Sequence, residues 1–257
     1  TLTEEEKTDY FAAELCLLAA PAQTGITDAV SRYGDLAGVH AQQSDMPGGN
    51  DLWHVTGQSV HRYFVFAHET LLRTECGYTG ALPYWNEVVD AGAFAASPVV
   101  LNFGGEGAWG NDWAVVDGPF ANLTLYLGPG TMNTVHPLTR QVNETQSVQA
   151  GQQFVDALLS MDTFAKFKDT MRHGLHAVGH KGVGGEMSNV VTSPNDPLFW
   201  LHHGYVDYIW WKWQGDNETR INDLNEIGYE TQKEPDTGYV VADVSDTKGG
   251  FLCYTYV

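Results

Sequence analysis

The sequence predicts a mainly α-helical fold with long loops and a few short β-strands. Apolar residues recur at helical spacing near both ends of the 257-residue chain. In residues 77–145, by contrast, Gly, Pro, Asn and Asp repeatedly interrupt the pattern, which favours loops and short strands. A chain of this length can bury one large core, and no domain boundary is visible, so we interpret residues 1–257 as a single domain.

The first three helices are predicted from capping and periodicity. Thr3-Glu-Glu-Glu6 is a capping box that opens a helix through about Leu18. Residues 27–40 suit a second helix that ends at His40. Apolar and aromatic residues recur at helical spacing over 59–72, which predicts a third helix.

Helical patterns return after the irregular middle, over residues 148–159 and 163–180. Asp196-Pro197 is typical of an N-cap followed by proline at the first helical position, and the helix after it carries Phe199 and His203 on one face. The last residues, 251–257, suit a strand.

Composition restricts the partners and the compartment. A net charge of -19 disfavours nucleic acid and anionic membrane surfaces, and no apolar run is long enough to span a membrane. No signal peptide is visible, so we read the chain as a mature form. Three sequons, at Asn122, Asn143 and Asn217, together with few lysines and eight Trp, predict a secreted glycoprotein. Three cysteines allow one disulfide, although three thiols in a reducing compartment remain the alternative.

Nine of the ten histidines fall into two clusters, from which only His136 stands apart. The clusters are His40, His54, His61 and His68, and His173, His176, His180, His202 and His203. Neutral imidazole is a common ligand of copper, zinc and iron, and two groups of at least three imidazoles indicate two metals. No carboxylate lies at ligand spacing within either cluster, which argues against a two-histidine-one-carboxylate iron site and favours a pair of coppers.

Helical spacing separates ligand candidates from neighbours in the second cluster. His176 and His180 are four residues apart, so they share one helix face and can bind one ion with His203. His202 is rotated about 100° from His203 on a helix, so we expect it to point away from that ion. His173 is expected to be a polar residue near a helix end, with a spare-ligand role as the alternative.

These motifs resemble those of tyrosinases and catechol oxidases, the type 3 dicopper proteins, over nearly the whole chain. The second copper motif is carried by His176-Ala-Val-Gly-His180 and by Asn195-Asp-Pro-Leu-Phe-Trp-Leu-His-His-Gly-Tyr-Val-Asp207. The first is carried by Ser31-Arg-Tyr-Gly-Asp-Leu-Ala-Gly-Val-His40, His54-Val-Thr-Gly-Gln58 and His61-Arg-Tyr-Phe64. The short secreted fungal catechol oxidase-like members are the most similar subgroup.

The resemblance implies a central four-helix bundle that holds two copper ions, which bind O2. By this match His40, His54 and His61 bind one copper, and His176, His180 and His203 bind the other. Asp207, one turn beyond His203, and Arg62, beside His61, are expected to support the ligands from behind. Val190, Ala177 and Lys181 are expected to line the substrate entrance.

Three features depart from the family pattern. Only six residues separate His54 from His61, where the family usually has eight. Leu52 stands where many members have a cysteine that forms a thioether bond, so that bond cannot form. The glutamate that helps to deprotonate phenols is missing from its usual place, and Ala177 replaces the asparagine that follows the fourth histidine. Glu186 is the first candidate for a replacement base.

The function implied by the resemblance is oxidation of small o-diphenols to o-quinones with O2, and also of o-aminophenols and some monophenols. Two alternatives remain. One is a haemocyanin-like oxygen carrier with the same metal pair, and the other is a degenerate protein with an impaired first copper site. The secreted context and the position of Glu75-Cys-Gly-Tyr78 after a ligand helix predict a Cys16–Cys76 disulfide, with Cys253 unpaired.

Overall fold

The histidine-bearing helices lie at the centre of the fold. The computed structural model describes residues 1–45, 57–224 and 240–257. Its α-helices are α1 (Glu4–Ala19), α2 (Arg32–Asp45), α3 (Gly57–Cys76), α4 (Pro98–Asn102), α5 (Glu144–Ser147), α6 (Gln152–Leu159), α7 (Phe164–Met171), α8 (Ala177–Val183) and α9 (Leu198–Gly215). The predicted mainly α-helical fold is confirmed, and none of these helices is both long and apolar enough to cross a membrane.

The N-terminal half contains the three predicted helices, but the second of them, α2, differs from its prediction at both ends. The Thr3 capping box is present, with the Thr3 amide 2.7 Å from a Glu6 carboxylate oxygen. The second helix begins at Arg32 and not at residue 27, because Asp28 has a left-handed φ of 67° and Ser31 Oγ accepts the Gly34 amide at 2.9 Å. It also continues past His40 to Asp45.

The helix predicted over 163–180 is divided in two by a π-helical turn at Arg172–His176. Gly174 within this turn has φ -99° and ψ -114°, outside the helical region. The break changes the direction of the chain between α7 and α8, and His176 is the last residue of the turn. Periodicity alone could not reveal it, because the apolar pattern continues across the break.

The middle of the chain is mostly loop, with one small antiparallel sheet. Strands β1 (Thr124–Leu125) and β2 (His136–Pro137) pair as Thr124 with Pro137 and Leu125 with His136. The predicted strand at 251–257 is wrong, since no strand is present there. In this segment the hydroxyls of Tyr254 and Tyr256 donate hydrogen bonds to the buried Asp207 carboxylate. Side-chain contacts thus hold the segment in place of a neighbouring strand.

Helix α9 is the core element. Most of its apolar residues are buried, including Phe199, Trp200, Trp210 and Trp213. Such a helix is stable only when other elements surround it. Asp196 determines where it begins, since its carboxylate accepts the Leu198 amide at 2.9 Å and also forms a bidentate pair with Arg140, at 2.8 Å for each bond. The loop-rich middle is thereby attached to the start of the core helix.

A buried ion pair joins α3, α9 and the C-terminal segment. Arg62 Nε lies 2.5 Å from Asp207 Oδ1, and both side chains are almost fully buried. The hydroxyls of Tyr254 and Tyr256 donate to the other Asp207 oxygen. The Arg62 guanidinium also donates to the Ser245 carbonyl and lies 3.6 Å from the centre of the Trp210 ring. Both charges therefore have the partners that make ionic burial tolerable.

The predicted Cys16–Cys76 disulfide is confirmed, and Cys253 is an exposed free thiol. The bond attaches the end of α1 to the end of α3, across a sequence separation of 60 residues. It therefore fixes the surface helix to the helix that carries His61.

We expect Asp207→Asn to destabilise the protein by about 3–5 kcal/mol, because it leaves the Arg62 charge buried without a counter-charge. Urea unfolding monitored by circular dichroism measures the change. Asp162→Asn is the matched control, since Asp162 pairs with Lys166 on the surface. A midpoint shift for Asp207→Asn no larger than that of the control would contradict the stabilising role of this pair.

The Cys16→Ser/Cys76→Ser variant should lose about 2–4 kcal/mol of unfolding free energy, because the unfolded chain regains a long loop. The same urea titration measures the loss. Cys253→Ser removes a thiol without removing a cross-link and should leave the midpoint unchanged. Peptide mapping that finds Cys253 in a disulfide would overturn the pairing.

Candidate metal centre

Five of the six predicted ligand histidines come together in the interior. His40 lies on α2, His61 on α3, His176 at the end of the π-helical turn, His180 on α8 and His203 on α9. The His61 and His203 rings stack with centroids 4.2 Å apart, and the His40 and His61 centroids are 5.7 Å apart. Residues distant in sequence thus form two adjoining imidazole groups.

Backbone carbonyls orient two of these rings. His40 Nδ1 lies 2.8 Å from the Val191 carbonyl oxygen, and His180 Nδ1 lies 2.7 Å from that of Met187. A donor bond from Nδ1 places the lone pair on Nε2, which is the arrangement that metal-binding histidines use. Both carbonyls belong to the segment between α8 and α9, so this segment determines the orientation of one ring in each group.

The second group has the properties of a metal-binding site. His176 Nε2 and His180 Nε2 are 3.2 Å apart, and both nitrogens of the buried His203 lack a hydrogen-bond partner among the described residues. Burial lowers the pKa of His203 well below its usual value, and the neighbouring histidines lower it further, so the ring is neutral. Buried imidazoles without partners carry a desolvation cost that a metal ion would remove. These residues therefore fit a copper ion.

His54, the third predicted ligand of the first group, lies outside the described residues, as does Leu52. The effect of the short His54–His61 spacing on the first copper site therefore stays a prediction from the sequence. His61 and His40 themselves are buried, with exposed fractions of 4% and 1%. Their rings also contact the buried Phe199, which separates the site from the Trp200 side of the core.

His202 does not point away from the second group, as helical geometry had suggested. One of its ring nitrogens lies within 4.8 Å of donor nitrogens of His176, His180 and His203. The ring is held by Glu87, with Nδ1 2.5 Å from the carboxylate. Burial raises the pKa of Glu87 well above its usual value and lowers that of His202 to about 3, so burial favours the uncharged form of both groups.

Glycine at position 179 is what allows this close approach. A Cβ there would lie 2.2 Å from His202 Nδ1 and 2.8 Å from Glu87 Oε1. Glu87 was not identified from the sequence, because it lies in a short 3₁₀ segment, Glu87–Asp90, far from the histidine motifs. The glycine between His176 and His180 was the available signal that something packs closely against this helix.

An open cavity of about 320 Å³ reaches the histidines from the surface. Four of the predicted ligands line it, namely His40, His61, His176 and His180. Ala177, Lys181 and Val190 also line it, as expected for entrance residues, and Val190 is 56% exposed. Among the described residues, the rest of the lining consists of Arg172, His173, Met187, Ser188, Ser193 and Phe199.

Glu186 is not placed to act as a base in this cavity. Its buried carboxylate accepts hydrogen bonds from Thr192 at 2.7 Å and Asn195 at 3.0 Å, and lies 3.5 Å from His136 Nε2. Burial raises its pKa, and the contacts show that it fixes the segment before α9. Sequence position suggested a base, but the 3₁₀ turn at Gly185–Ser188 directs this side chain away from the cavity.

Four other residues singled out in the sequence have structural partners. Arg62 and Asp207 bind each other, and within the described ranges neither hydrogen-bonds to a candidate ligand ring. His68, from the first histidine cluster, stacks on Trp200 with centroids 4.0 Å apart and lies 3.0 Å from Glu14. His173 is exposed and contacts Asp169 at the edge of the cavity, as the polar-residue interpretation predicted.

Comparison with known proteins agrees with this geometry. The family described as the common central domain of tyrosinase matches residues 30–216. Tyrosinase ustQ of Aspergillus flavus is 31% identical, over 100% of this chain and 77% of its own length. N-acetyl-6-hydroxytryptophan oxidase ivoB of Emericella nidulans is 26% identical, over 100% and 90%. A polyphenol oxidase variant from Thermothelomyces thermophila superposes with a TM-score of 0.84 at 27% identity, over 100% of this chain and 87% of that one.

We expect His203→Ala to lose one metal per chain, since it removes one of three imidazoles from the second group. His202→Ala should retain both, because the His202 ring is held by Glu87. Elemental analysis after copper loading and gel filtration measures the metal content. His173→Ala is the control, since that ring lies at the exposed edge. If His202→Ala loses the metal and His203→Ala retains it, the assignment of the two neighbours is reversed.

Proposed function

Because the chain belongs to the tyrosinase family and is a copper-dependent oxidoreductase with a dinuclear copper site, we propose that it oxidises small o-diphenols to o-quinones. The reaction consumes one O2 for two diphenols and yields two quinones and two waters. The main observation that supports this proposal is that imidazoles of both groups line one open cavity. The names of two relatives, tyrosinase and N-acetyl-6-hydroxytryptophan oxidase, refer to hydroxylated aromatic rings and support a phenolic substrate.

His40, His54 and His61 would hold the first copper, and His176, His180 and His203 the second. The bound coppers supply the electron transfer between the phenol and O2, and neutral imidazoles are suitable ligands for them. Val191 and Met187 keep Nε2 of His40 and His180 available through their carbonyl groups. The assignment of His54 depends on the sequence motif alone.

The cavity suits a single aromatic ring with a short substituent. Its volume of about 320 Å³ is small for a ligand pocket, since such pockets range from about 300 to 1,000 Å³. The Phe199 ring forms part of the inner wall, and the small side chains of Ala177 and Val190 leave the path from solvent open. Small o-diphenols and o-aminophenols are therefore preferred over bulky ones.

Diphenol oxidation exceeds monophenol hydroxylation in this proposal. A monophenol must first lose a proton whose pKa is near 10, whereas a catechol offers two coordinating oxygens. None of the described residues that line the cavity is a carboxylate or an asparagine. Glu186, the candidate replacement base, faces Thr192 and Asn195. Monophenol turnover therefore lacks a positioned base.

We also propose that the protein is a secreted glycoprotein. A disulfide joins Cys16 and Cys76, and such bonds persist mainly in oxidising compartments. The sequon residues Asn122, Asn143 and Asn217 are all exposed, so a glycan at each would project into solvent. Mass spectrometry of protein purified from the producing cells' medium, before and after glycosidase treatment, tests this assignment.

Oxygen uptake by copper-loaded protein should distinguish matched phenols. We expect kcat/KM for 4-methylcatechol to exceed that for 4-methylphenol by roughly 10²-fold or more, because a positioned base is typically worth 10²–10⁴ in rate. Equal rates without a lag would show that another base acts. Two bound coppers with reversible O2 binding but no catechol turnover would instead indicate an oxygen carrier.

A further inference from the structure

The entrance of the cavity is positively charged in an acidic protein. The chain has 32 Asp and Glu against 13 Lys and Arg. Two of those cations, Arg172 and Lys181, nevertheless line this one cavity, and among the described residues no Asp or Glu lines it. The imidazole of His173 also lines this cavity, at its exposed edge. The acidic composition of the chain does not predict this local excess of positive side chains.

The carboxylates of Asp169 and Glu186, near the entrance, have partners other than the two cations. Asp169 lies 3.3 Å from His173 and points to solvent. Glu186 is held by Thr192 and Asn195. Within residues 1–45, 57–224 and 240–257, neither Arg172 nor Lys181 forms a salt bridge with an acidic side chain. Both cations are therefore available to an anion that enters the cavity.

The two cations flank the histidine pair along the chain. Arg172 is the first residue of the π-helical turn that ends at His176, and Lys181 directly follows His180. Arg172 is half-buried and Lys181 is exposed.

From this arrangement we infer that the site selects phenols that carry a carboxylate on a short side chain, and that Arg172 and Lys181 bind that carboxylate. The aromatic ring would lie against the apolar inner wall, with its hydroxyls toward the histidines and its carboxylate toward the entrance. This inference rests on the proposed diphenol oxidation and adds the substrate class. Partly desolvated charge pairs of this kind give specificity more than raw affinity.

The test compares 3-(3,4-dihydroxyphenyl)propionate with its amide, which has nearly the same shape without the charge. For the copper-loaded wild-type protein we expect kcat/KM for the acid to exceed that for the amide by about tenfold, mainly through KM. Arg172→Gln/Lys181→Gln should reduce this ratio to about one. Lys212→Gln/Lys248→Gln removes two exposed cations away from the cavity and should retain the wild-type ratio.

Substitution of the two cations is a more informative test than a change of salt concentration. Added salt would screen both the local attraction and the repulsion from the -19 net charge, so the two effects would oppose each other. The control variant changes the net charge equally and leaves the entrance intact. A wild-type ratio near one, or a ratio that survives Arg172→Gln/Lys181→Gln, would overturn the inference.

Binding separates this inference from the proposed reaction. Calorimetry with 3-phenylpropionate and 3-phenylpropionamide uses ligands that have no hydroxyl to oxidise. The acid should bind about tenfold more tightly than the amide to the wild type and equally to the entrance variant. If neither catechol is oxidised but this binding difference holds, the diphenol oxidase proposal fails and the anion selectivity stands. If both catechols are oxidised without a binding difference, the reverse is true.

Discussion

The buried pair of Arg62 and Asp207 is the interaction on which the positions of the other elements depend. Arg62 directly follows His61 on α3, and Asp207 lies one turn beyond His203 on α9. Any rotation of either helix about its axis would separate these charges, and in the described part of the chain neither has another salt-bridge partner. The stacking of the His61 and His203 rings is thus fixed by a contact behind it. Tyr254 and Tyr256 extend the same constraint to the C-terminal segment.

A second set of buried polar contacts pairs carboxylates with histidines that are not predicted ligands. Glu14, Glu87 and Glu186 are all buried, and each contacts or lies near such a histidine. Burial raises the pKa of Glu87 and of Glu186. None of the three lines the cavity that Arg172 and Lys181 line.

The sequence predicted most of the helices from local signals, and the family resemblance predicted the convergence of the ligands. The Thr3 capping box, the Asp196-Pro197 start of α9 and the His176–His180 spacing each act within one or two turns. Local signals could not predict the buried polar contacts between distant segments. Glu87 contacts His202 across 115 residues, and Glu186 turns away from the cavity because of a local 3₁₀ turn. The start of α2 was misplaced because residues 27–31 continue the apolar pattern although Asp28 has a left-handed backbone.

The segment that joins α8 to α9 has a consequence for how a ligand is received. Its carbonyl groups at Met187 and Val191 hold two imidazoles, and the Glu186 carboxylate ties its start to Thr192 and Asn195 near its end. One wall of the cavity is therefore already ordered before any ligand arrives. The protein therefore loses little conformational entropy in this wall when a ligand binds. Ligands are selected by the fixed shape of the wall and not by a change of its shape on binding.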